Sequence, residues 1–80
     1  VDKAKLMEVV KGAIDVKDAK DVNTLDGMRV DYGSGWILVR PSGTEPRIRI
    51  TAEAEDVDTL TELFNRTESI VKRCVKACEQ

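Results

Sequence analysis

The densest concentration of chemically capable side chains is the run Arg40-Pro41-Ser42-Gly43-Thr44-Glu45-Pro46. Arg40 offers a planar fork of donors that matches two oxygens of a phosphate. Ser42 and Thr44 place hydroxyl donors two residues apart. Gly43 between them lets the backbone approach an anion and turn its N–H inward. Pro41 and Pro46 stiffen the ends of the run, which lowers the entropy lost when a ligand orders it. Residues 40–49 hold three Arg against one Glu, a local charge of +2, so the rest of the chain sums to −4 within the net −2. This pattern suits binding of an anion, phosphate above all. The competing reading is a rigid strand connection whose hydroxyls satisfy their own backbone.

Other candidate groups read more simply as structure. Cys74 and Cys78 fall four apart on one helical face with no further ligand nearby, which points to core packing rather than a metal. Two cysteines are too few for a disulfide scaffold and suit a reducing compartment. Glu53, Glu55, Asp56 and Asp58 form an acidic cluster, explained by a solvated strand end and a helix N-terminus more simply than by a cation site. Asn65-Arg66-Thr67 matches a glycosylation acceptor but falls in mid-helix. Trp36 reads as a core-edge residue, against the alternative of an exposed binding aromatic.

The elements that must position the Arg40 run follow from periodicity. Leu6, Val9 and Val10 give a helical stripe after a cap at Asp2, with Gly12 as a stop that Ala13 and Ile14 could override. Asp26-Gly27 signals a two-residue hairpin joining a strand at 22–25 to one at 28–32, where Met28, Val30 and Tyr32 share a face. Gly33-Ser34-Gly35 is a second tight connection, into Trp36-Ile37-Leu38-Val39-Arg40, whose near-continuous apolar run predicts a central strand at least partly covered on both sides. A fourth strand over 47–53 alternates Ile48, Ile50 and Ala52 with Arg47, Arg49, Thr51 and Glu53. Asp56 caps a C-terminal helix with a stripe at Val57, Leu60, Phe64, Thr67, Val71, Cys74 and Cys78, widened by Leu63 and Ile70. The expected fold is α+β: a two-layer sandwich in the order helix-strand-strand-strand-strand-helix, with a four-stranded antiparallel sheet and both helices on one face.

Eighty residues, read as a single domain over 1–80, leave little room for a deep private active site. With no histidine the chain lacks the commonest general base and metal ligand. A net charge of −2 speaks against nonspecific nucleic-acid or acidic-lipid binding. No apolar run approaches the ~20 residues that span a bilayer. On these grounds a self-sufficient enzyme is not expected, and neither nucleic acid nor membrane is expected as a partner.

Asp26-Gly27-Met28-Arg29-Val30, then Gly35 through Pro46, then Ile48-Arg49-Ile50 and Glu53-Ala54-Glu55, resemble the C-terminal, fourth domain of the α-D-phosphohexomutases. That family comprises phosphoglucomutases, phosphomannomutases and phosphoglucosamine mutases, and the likeness spans roughly residues 20–75. The resemblance implies a cytoplasmic isomerase that moves phosphate between the 1- and 6-positions of a hexose through a bisphosphate intermediate, using a phosphoserine and Mg2+. In that family the last domain clamps the substrate phosphate distal to the reacting group. Carried onto this chain, Arg40, Ser42, Gly43 and Thr44 would be the clamp. Arg49 fits a frequent family position, either touching the ligand or pairing with Glu45 or Glu53. The serine-histidine-asparagine motif, the Asp-rich metal loop and the sugar-reading loop are absent, so no catalytic residue, metal or cofactor is expected in this domain. The partners implied are a phosphosugar substrate and the remaining, upstream domains of a parent mutase. The rival class is a noncatalytic protein-interaction module that binds no phosphate.

Overall fold

Apolar side chains spaced three and four apart on two segments, and alternating along others, are buried together when two helices lie on one side of a single sheet. The computed structural model, which describes residues 3–25, 27–41 and 48–78, has that arrangement. In chain order it runs α1 (Lys3–Ala13), β1 (Asp21–Asn23), β2 (Met28–Asp31), β3 (Gly35–Pro41), β4 (Ile48–Ala54) and α2 (Val57–Cys78). The strands form one antiparallel meander in the order β1-β2-β3-β4. The two-layer α+β sandwich read from the sequence is the fold observed.

The core lies between the layers. Leu6, Met7, Val10 and Ile14 meet Met28 and Val30 of β2, Ile37 and Val39 of β3, and Leu63, Val71 and Cys74 of α2. Helix α2 lies along β3 and β4, while α1 packs on α2 and β3. Thr67 is buried in mid-helix, and its hydroxyl donates to the Leu63 carbonyl at 2.8 Å, so no polar group is stranded. Burial is the main cause that raises the pKa of Cys74, which stays a packed thiol. Tyr32 fastens the α1–β1 connection to the sheet by donating its hydroxyl to the Asp15 carbonyl at 2.8 Å.

Asp56 caps α2 as the sequence predicts. One carboxylate oxygen accepts the Thr59 N–H at 2.8 Å and the other accepts the Thr59 hydroxyl at 2.9 Å. These bonds hold its pKa below the ordinary 3.8, the backbone bond contributing most. Because the folded value is depressed, the stabilisation is present above the unfolded pKa and is lost as pH falls through the folded one. Asp56→Ala should therefore lower the thermal midpoint at pH 7, and the gap to wild type should narrow in acid below pH 3.8. Thermal scans across that range check it; a gap independent of pH would contradict the assignment.

Several boundaries differ from expectation. Helix α1 runs through Gly12 to Ala13, and Ile14 N–H still reaches the Val10 carbonyl at 3.1 Å. The tertiary burial of Ile14 outweighs the modest cost of one helical glycine. The expected caps and turn residues Asp2 and Asp26 lie outside the described residues. Strand β1 ends at Asn23, not Leu25, and Asn23 pairs with Arg29. A two-residue Asp26-Gly27 turn would have paired Leu25 with Met28, one residue out of that register. The observed register places Val22 beside Val30 on the inner face, whereas the slipped one would turn Val22 outward. Leu25 is consequently 93% exposed at the hairpin end.

Candidate functional site

Alternation along β3 sends Ile37 and Val39 into the core and Trp36, Leu38 and Arg40 to the opposite, outer face of the sheet. No described element covers that face. The expectation that Trp36 belongs to the core edge is therefore corrected. It is half-buried on the outer face, with the Arg29 guanidinium 4.8 Å from its ring centroid. Leu38, on the same outer face, is likewise half-buried.

Across the strands in register, the outer face falls into rows. Asp21, Asp31, Trp36 and Glu53 form one, Asn23, Arg29, Leu38 and Thr51 the next, and Arg40 and Arg49 the third. The face is thus acidic at one end and basic at the other, about 13 Å apart by strand rise. A cleft of about 310 Å³ bounded by Asp31, Trp36, Glu53 and Glu55 lies at the acidic end, where the charge repels phosphate.

The basic end is the anion candidate. Arg40 and Arg49 are direct cross-strand neighbours and both are exposed. Cβ atoms of such a pair lie about 5 Å apart, and like charges so placed repel. An anion bound between two guanidinium forks offsets that repulsion. Arg40 and Pro41 close β3 while Ile48 and Arg49 open β4, so the pair flanks residues 42–47. Ser42, Gly43, Thr44 and Glu45, and with them most of the proposed clamp, lie outside the described residues. Glu53 sits on the same face as Arg49 but four residues along β4, and no ion pair joins them. That disposes of one of the two pairings weighed for Arg49. Arg29, engaged with Trp36 one row away, is not part of the pair. The juxtaposition of Arg40 with Arg49 was not read from the sequence, although counting pairs outward from Pro41 opposite Ile48 supplies it.

Residues 1–70 match the family model described as phosphoglucomutase/phosphomannomutase, C-terminal domain. The chain belongs to this family, as its C-terminal domain. The domain is 51% identical over 79 residues to a probable phosphoglucosamine mutase of Methanocella arvoryzae, covering 99% of the chain but 18% of that relative. It is 47% identical over 64 residues to a phosphopentomutase of Thermococcus kodakarensis, covering 79% of the chain and 14% of the relative. In structure it is similar to a phosphoglucomutase/phosphomannomutase family protein of Burkholderia thailandensis, with a TM-score of 0.67, 30% identity and 96% of the chain covered, against 16% of that protein. The domain therefore spans less than a fifth of the length of these relatives. Among the described residues, no helix is long and apolar enough to cross a membrane.

Proposed function

We propose that this domain binds the substrate phosphate within a larger phosphosugar mutase, one that interconverts hexose 1- and 6-phosphates through a bisphosphate. The observation that carries this is the Arg40–Arg49 cross-strand pair, which flanks residues 42–47 at the one basic end of the described sheet face. Arg40 grips the phosphate by its fork, Arg49 adds the second positive charge, and Ser42, Gly43 and Thr44 supply hydroxyl and backbone donors. Such donors read the phosphate and not the ring, which suits a substrate that must present phosphate from either carbon. Phosphoryl transfer itself falls to other domains of the parent. Among the described residues no three carboxylates or thiols converge to hold a metal ion, so no step through magnesium is assigned here. The probable phosphoglucosamine mutases among the relatives favour an amino-hexose phosphate as substrate. Closing the domain over the phosphate excludes water during transfer, and reopening lets the intermediate turn.

Inorganic phosphate titrated into the chain and followed by amide chemical shifts tests the site. Shifts should concentrate at residues 40–49 and leave the acidic row at Asp31 and Glu53 unmoved. No shift at millimolar phosphate would instead favour an interaction module that binds no phosphate.

A further inference from the structure

We infer that Gly27 is a positioning residue for the anion site: its missing side chain is what allows Arg40 to hold its place beside Arg49. This rests on the phosphate-binding reading of Arg40. The register of β2 with β3 pairs Met28 with Val39, so one position further brings Gly27 opposite Arg40. Arg40 is thus bracketed across the strands by Arg49 on one side and a glycine on the other. The bracket is tight. A Cβ on Gly27 would lie 3.0 Å from the Arg40 Cβ and 3.1 Å from its Cα, and would collide with the Val39 carbonyl. The atoms in the way are main chain and the root of the Arg40 side chain, not a flexible tip, so they yield only if the end of β3 moves. Gly27 also has a φ of +85°, which a side chain disfavours.

Backbone strain alone does not make a positioning residue, and Gly33 supplies the control. Its φ is +88°, nearly the same, but the three atoms nearest a Cβ there are the Cε, Cδ and Nζ of Lys20, the far end of a flexible side chain. Gly33 lies at the acidic end of the sheet, in the β2–β3 turn. The two glycines therefore share a positive φ at opposite ends of the same strand pair, and one of them lies against Arg40.

The test uses the full-length mutase carrying this domain, with Gly27→Ala, Gly33→Ala, Arg40→Ala and the double variant Gly27→Ala/Arg40→Ala. Gly27→Ala should raise KM for the hexose phosphate about tenfold with a smaller change in kcat, because the guanidinium is displaced rather than removed. Gly33→Ala meets nearly the same φ but the flexible end of Lys20 in place of main chain, so it should lower the melting temperature by no more than Gly27→Ala and leave KM within about twofold. In the double variant the KM should match that of Arg40→Ala alone, the signature of one residue acting through the other. If Gly27→Ala does not fold, Gly27→Asn replaces it, since Asn tolerates positive φ yet keeps the intruding Cβ. A Gly27 variant with unchanged KM, or one whose effect simply adds to that of Arg40→Ala, overturns the inference while leaving the clamp intact. An unchanged KM in Arg40→Ala itself overturns the clamp reading instead.

Discussion

Arg40→Ala in the full-length parent should lower kcat/KM for the hexose phosphate by about 10- to 100-fold, most of it through KM. A charge-assisted hydrogen bond contributes about 1.5–3 kcal/mol, and every 1.4 kcal/mol is tenfold in affinity. The loss is expected in KM because a phosphate distal to the reacting group would be held in ground state and transition state alike, so removing Arg40 would weaken both. Arg40→Lys should recover only part of the activity. Lysine restores a point charge at the basic end of the sheet but not the planar fork. Arg49 is the direct neighbour of Arg40 and still carries one guanidinium, which keeps the loss from being total. Steady-state kinetics on the two variants check this, and equal KM in wild type and Arg40→Ala would contradict it.

The largest effect on stability is expected at Ile37. It lies in β3, the strand between β2 and β4, is 1% exposed, and faces the helices from the middle of the core. Ile37→Ala removes buried methyl groups and leaves a cavity, at a cost of about 2–5 kcal/mol. A domain of 80 residues holds only about 4–12 kcal/mol in total, so the variant loses a large share of its stability. Urea unfolding of the chain should show the midpoint falling by about 1–3 M with little change in slope. An unchanged midpoint would mean that Ile37 is not enclosed as described. Because Ile37 and Arg40 lie on one strand with opposite orientations, loosening the core also loosens the frame of the site.

How legible all this is in the sequence depends on which interaction decides each feature. The helices and the inner faces of the strands are readable because burial imposes a period: Thr67, Val71 and Cys74 in α2, Met28 and Val30 in β2. Val57, read into the same helical stripe, is however 75% exposed, and Leu63, read as widening it, is buried. The cap at Asp56 is readable because it is local, a side chain bonding to backbone three residues on. Register is not local. The Asp26-Gly27 pair signals a turn correctly but not its length, and the choice falls to Val22 reaching the inner face beside Val30. Trp36 misleads for a related reason. A large aromatic in an apolar run looks like core, yet strict alternation from Ile37 and Val39 sends it outward. The Arg40 run is conspicuous by residue type, while its neighbour Arg49 becomes meaningful only when the pairing of β3 with β4 is known. The closeness of Gly27 to Arg40 is further still from the sequence, because it depends on two strands meeting across a turn.

The central claim is that residues 40–49 hold the substrate phosphate. Amide hydrogen exchange of the full-length mutase, with and without saturating hexose phosphate, tests it most directly, since the parent supplies the whole pocket. Exchange across 40–49 should slow with substrate, and no slowing should appear there in Arg40→Ala at the same substrate concentration. Exchange at 40–49 that is the same with and without substrate in the wild-type enzyme would contradict it.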